Sequence, residues 1–206
     1  MKKTLSLILA LLTILSVAMC VPASAVGIDG TLITADDAKK AAADYLGTTV
    51  DNLSSYKSEV ESVDYVKVGS IISIKADQYK LSFRYNGISY NITVDPVGLI
   101  KNFSYESKKL LVPKGASGII SEAEAKAKAT DAAGVSSGDA IFTSSKFVVE
   151  NYTNYYVFEF LGKTQQVTAK VNASVKSADP IINITEKNAF VMIFIRLFAK
   201  ISLMFG

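Results

Sequence analysis

Residues 79–94 read Tyr79-Lys80-Leu81-Ser82-Phe83-Arg84-Tyr85-Asn86-Gly87-Ile88-Ser89-Tyr90-Asn91-Ile92-Thr93-Val94. Apolar side chains fall at every second position on either side of Asn86-Gly87, a period that puts one set on a buried face and the other toward water. Asn-Gly is the pair that most readily takes positive φ at both central positions of a two-residue turn, so the stretch predicts an antiparallel hairpin. Asp95-Pro96-Val97-Gly98 then reads as a turn. Leu99 to Phe103 gives a short further strand, and Val66, Val68, Ser70, Ile72 and Ile74 upstream give a first one.

A helix precedes this sheet. Thr34 stands at an N-cap with Asp37 three positions on, a short form of the capping box, and Ala38, Ala41, Ala42, Tyr45 and Leu46 lay an apolar stripe at helical spacing. Gly47 supplies a left-handed stop. The same pattern returns 87 residues later: Ser121 with Glu124 forms a full capping box, Ala125, Ala129, Ala132 and Ala133 form the stripe, and Gly134 ends it. Tyr79, Leu81 and Phe83 reappear as Tyr156, Phe158 and Phe160, at an offset of 77. The first copy therefore carries ten extra residues, placed within Val50 to Asp64 by this reading. Strands in the second copy are predicted over Lys146–Glu150, Tyr156–Phe160 and Val167–Val171.

The expected fold class is α+β: two tandem small modules, each an N-terminal helix packed on a three- or four-stranded antiparallel sheet. The segments are 1–25 as a signal peptide, 33–104 as the first module, 105–118 as a linker rich in Pro, Gly and Ser, 119–184 as the second module, and 185–206 as a hydrophobic cationic tail. Modules this small are marginal alone, so the two are expected to pack together.

Lys2 and Lys3, the apolar run Leu5–Met19 and Ala23-Ser24-Ala25 form the three parts of a secretory signal, with cleavage expected after Ala25. Cys20 offers the alternative of a lipidated N-terminus, against which stands the bulk of Met19 before it. Cleavage at Ala25 removes two of the 22 basic residues and none of the 19 acids, leaving a nearly neutral chain without the basic face that nucleic acid demands. It also removes the single cysteine, and the sequence has no histidine or tryptophan. No thiol nucleophile, Ser-His-Asp relay or usual N/S zinc site is then available, and no catalytic, cofactor or metal residue is assigned. The acid pairs Asp36/Asp37 and Glu122/Glu124 sit in first helical turns, where negative charge meets the helix dipole. They and Glu59/Glu61 are read as structural rather than catalytic.

The Ile-[Ser/Thr]-x-x-[Asp/Glu]-Ala-Lys helix (Ile33–Lys39, Ile120–Lys126), the Tyr-x-[Leu/Phe]-x-Phe strand and the Val94-Asp95-Pro96-Val97-Gly98 turn resemble the PepSY family. The second copy departs at the turn, which reads Val171-Asn172-Ala173-Ser174-Val175. The resemblance implies a non-enzymatic extracytoplasmic module of the kind found in peptidase propeptides and cell-envelope proteins, with a secreted peptidase as the implied protein partner. It carries over no catalytic residue.

If Tyr156, Phe158 and Phe160 face the helix, then Tyr155, Val157 and Leu161 face away and form a candidate interaction surface, free for a partner or covered by the first module. Residues 189–205 read AFVMIFIRLFAKISLMF. With Arg196 and Lys200 inside it, this run suits a helix in the membrane interface better than a span. Its candidate contacts are Phe190, Ile193, Phe194, Arg196 and Lys200, the alternatives being a helix docked on the outward face or an altered terminus. The expected function is a non-catalytic extracytoplasmic binding or regulatory protein, a peptidase modulator first. The other reading is a structural or sensory envelope component held at the membrane by its tail.

Overall fold

The computed structural model describes residues 32–68, 72–173 and 180–205; the predicted signal segment, with Cys20, lies outside them. Eight strands form one sheet in sequence order, every neighbouring pair antiparallel. They are β1 (Ser54–Val68), β2 (Ile72–Tyr85), β3 (Ile88–Val94), β4 (Ile100–Tyr105), β5 (Ile141–Glu150), β6 (Thr153–Leu161), β7 (Gln165–Asn172) and β8 (Ile181–Glu186). Helix α1 (Ala35–Leu46) precedes β1, α2 (Glu122–Ala132) lies between β4 and β5, and α3 (Ala189–Phe205) follows β8.

The expected pair of separate modules is overturned by this continuous sheet. Phe103 on β4 pairs with Val149 on β5, and a single hydrophobic core runs through both halves. Aromatic rings trace its course: Phe83 against Tyr90, Tyr90 against Phe103, Phe103 against Phe147, Phe147 against Tyr156, and Tyr156 against Phe158, with centroids 5.5–6.5 Å apart. Separate modules would leave β4 and β5 as bare edges with Phe103 and Phe147 in water. Joining them removes both edges and buries both rings.

Polar contacts lock the junction. The Tyr105 hydroxyl donates to the Lys109 carbonyl (3.2 Å) and accepts from the Leu111 and Phe147 N–H groups (2.9 and 3.2 Å). The β5–β6 turn hooks onto the first half: Tyr152 N–H donates to the Lys101 carbonyl (2.9 Å), and its hydroxyl donates to Asp95 Oδ2 (3.0 Å). Asp95 is buried, and its Oδ1 accepts from the Val97 and Leu99 N–H groups, so the acid of the turn motif also clamps the two halves. Residues 105–118, expected as a linker, pack closely. A Cβ on Gly115 would stand 2.6 Å from the Tyr45 ring, and its N–H donates to the Tyr45 carbonyl.

The internal duplication survives as matched contacts within the one sheet. The Tyr79 hydroxyl donates to the Ile33 carbonyl and the Tyr156 hydroxyl to the Ile120 carbonyl. Ile33 N–H donates to the Pro96 carbonyl, and Ile120 N–H to that of Ala173. Even the register break near the start of the first hairpin, between Ser54 and Lys57, recurs between Phe142 and Ser144. Ala38, Ala42 and Ala43 of α1, and Ala125 and Ala129 of α2, are buried against the sheet's inner face, where small side chains permit close approach.

Two local expectations are corrected. Val66 and Val68 belong to β1 but Ile72 and Ile74 to β2, because the chain reverses between them. Glu150 pairs with Thr153 across two residues, whereas the matching pair Val63–Ala76 is separated by twelve. The ten extra residues therefore lie after Val63. They extend β1 and β2 as a ribbon beyond Tyr79, where pairing with β3 begins. Alternation alone does not mark a reversal, since its period is the same in both strands.

The reciprocal capping box is seen at Thr34, the site expected to be weaker. Its hydroxyl accepts from Asp37 N–H, and Asp37 Oδ2 accepts from the Thr34 N–H and hydroxyl. In α2 the Ser121 hydroxyl accepts from Glu124 N–H. Gly47 closes α1 with φ +73°, the left-handed conformation that glycine adopts without strain.

Tyr105→Phe leaves the Phe147 and Leu111 N–H groups without their acceptor. We expect a loss of about 1–3 kcal/mol in urea unfolding, with faster amide exchange at Phe147 than at Phe83. The hydrogen bonds from Thr34 hold the Asp37 carboxyl below the usual carboxylate range. Its contribution is therefore present above the unfolded-state pKa and is lost as pH falls through the lowered folded value. The difference in thermal midpoint between the parent chain and Asp37→Asn should accordingly narrow from pH 7 to pH 2.

Candidate functional site

Both α1 and α2 cover the inner face, which leaves the outer face of the sheet as the candidate site. Strand alternation assigns its residues: Lys57 and Glu59 on β1, Lys80 and Ser82 on β2, Asn91 and Thr93 on β3, and Asn102 and Ser104 on β4. These eight line an open groove of about 360 Å³. Ser82 donates to Asn91 Oδ1 across the strands (2.8 Å).

At the root of the ribbon a polar chain runs across three strands. Lys101 Nζ donates to Gln78 Oε1 (3.0 Å), Gln78 Nε2 donates to Glu61 Oε2 (2.6 Å), and Lys80 pairs with the same oxygen (2.8 Å). Lys80 and Gln78 together hold the Glu61 carboxyl below the usual range, and Glu61 raises the Lys80 ammonium. Glu61 is thus committed as a hydrogen-bond acceptor. On the second helix Glu122 pairs with Lys126 one turn on (2.7 Å). Among the described residues, no three His, Cys, Asp or Glu side chains are grouped to hold a metal ion.

Tyr155, Val157 and Leu161 all point to the outer face, but the structure treats them differently. Tyr155 and Val157 are half-buried, with the Lys170 ammonium 4.2 Å from the Tyr155 ring centroid while Lys170 also pairs with Glu150. Leu161 is buried beneath α3, where it meets Ile141 and Met192, with Ile195 and Ala199 beside them. It belongs to an internal contact rather than to an open surface.

Of the tail residues, Ile193, Phe194 and Lys200 are exposed, while the Phe190 side chain lies outside the described residues. Arg196 turns toward the body of the protein instead. Its Nη1 donates to the carbonyls of Asp139 (2.9 Å) and Gly162 (2.6 Å), so it fastens α3 to the sheet's end and does not share an outward face with Lys200. The groove on β1–β4 was missed in the sequence because polar residues at alternate positions read equally well as a solvated face. The docking row Met192, Ile195 and Ala199 is hidden among neighbours just as apolar.

Arg196→Met keeps an unbranched apolar stem and removes two charge-assisted bonds, each worth about 1.5–3 kcal/mol. Amides of α3 should then exchange at least about tenfold faster, while those of β6 and β7 stay unchanged. Comparison with family models, with curated proteins and with solved structures finds no match to this chain.

Proposed function

We propose that the chain is a non-catalytic binding or regulatory protein of PepSY type acting outside the cytoplasm, with a protein partner, a secreted peptidase first. The reading rests on the motif resemblance and on one structural observation. Both core-forming helices lie on the same side of the sheet, and the opposite side presents an open groove of paired Lys, Glu, Asn, Ser and Thr side chains. A face with mixed charge and abundant donors and acceptors recognises another protein by complementarity, with charge setting specificity and encounter rate. Tyr155 and Val157 continue it into the second half with apolar area, the kind of side chain that anchors interfaces.

Its test adds the purified chain to the secreted peptidases of its host. We expect a complex on size-exclusion chromatography and slowed proteolysis, with Lys80→Glu weakening the complex about tenfold through charge reversal on the groove. A folded chain that forms no complex and leaves proteolysis unchanged removes this reading.

A further inference from the structure

Helix α3 is fastened by one face, and the side chains opposite that face are largely exposed. Met192, Ile195, Arg196 and Ala199, spaced i, i+3, i+4 and i+7, meet the body of the protein. At about 100° per residue, Leu197 and Ile201 point directly away, flanked by Ile193, Phe198 and Met204. Ile193 is 63 %, Phe198 67 % and Met204 79 % exposed. The polar residues Lys200 and Ser202 fall at the borders between the two faces, about 80° either side of Met192.

We propose that α3 docks the protein on the surface of an anionic lipid bilayer, lying in the plane of the membrane with its outward face among the acyl chains. This uses different residues from the groove on β1–β4 and does not depend on the peptidase reading. Three observations select lipid. The five outward side chains include no hydrogen-bonding group, whereas protein interfaces carry about one hydrogen bond per 100–200 Å². From Lys187 to Gly206 the chain has three cations and no acid, and Lys187 and Lys200 are exposed, which complements headgroup phosphates. A helix of seventeen residues is about 25 Å long, so pairing two such faces stays near or below about 1,200 Å², the lower edge of stable protein interfaces.

The orientation follows from the clamp. With Arg196 spent on the Asp139 and Gly162 carbonyls, the outward face carries no charge, and Lys200 lies at the level where phosphates meet the helix flank. No helix among the described residues is long and apolar enough to cross a membrane, so contact is along the surface.

The chain has no tryptophan, so Phe198→Trp in the full chain gives a single local reporter. Vesicles of phosphatidylglycerol and phosphatidylcholine with brominated acyl chains should shift its emission to the blue and quench it. Adding Leu197→Glu should weaken binding at least about tenfold. Lys200→Glu should weaken it about tenfold on these vesicles and little on phosphatidylcholine alone. The proposal is overturned if the reporter's emission ignores vesicles while circular dichroism shows the chain folded. It is equally overturned if the reporter is shielded without lipid, in a concentration-dependent dimer that vesicles leave intact, which assigns the face to a second copy. Equal binding with and without phosphatidylglycerol overturns the headgroup contact.

Discussion

Burial of Phe103 and Phe147 against each other is the contact on which the architecture depends. Each half of the chain builds four strands and one alanine-rich helix, and each would end at this point in an aromatic edge exposed to water. A half of that size gains little margin from its own core. Extending the sheet through β4 and β5 doubles the core without any disulfide. The backbone pairing there is short, and side chains complete it: the Tyr105 hydroxyl satisfies three backbone groups, and Tyr152 reaches back to Asp95. The Asn151-Tyr152 turn holds both residues at positive φ, a conformation costly for tyrosine. The Asp95 bond and the Lys101 contact offset that strain.

The duplication explains both the regularity of the molecule and its departures from regularity. Tyr79 and Tyr156, each within the second strand of its half, donate to the isoleucine carbonyl before each helix cap, which fixes helix to sheet in the same way twice. Where the copies diverge they serve different ends. The first extends its opening hairpin into a ribbon, whose root carries the Lys101-Gln78-Glu61-Lys80 chain. The second has Tyr155, Val157 and Leu161 where the first has Gln78, Lys80 and Arg84, and it receives α3 over Ile141 and Leu161. Asp95 of the first copy clamps the junction, and the residue matching it in the second is Asn172.

With the helices α1 and α2 confined to one side, the functional proposals occupy the other side and its end. The polar groove on β1–β4 suits recognition by charge and hydrogen bonding, while the outward face of α3 exposes apolar side chains. These are two different chemistries, and they are physically separable: Lys80→Glu acts on one and Leu197→Glu on the other.

Periodicity in the chain by itself determined the secondary structure around Tyr79–Val94, the capped alanine helices, their repetition, and which strand residues face inward, because each of these depends on neighbours within a few positions. It also placed Tyr155, Val157 and Leu161 on the outer face. Whether two sheets or one would form was decided only by tertiary structure, since the alternation of β4 and β5 is the same for an exposed edge and a paired strand. The same holds for the reversal between Val68 and Ile72, for the burial of Leu161, and for the direction of Arg196. The last two rest on partners tens of residues away, Asp139 and Gly162 in the case of Arg196, and a local pattern carries no record of what the far chain brings to meet it.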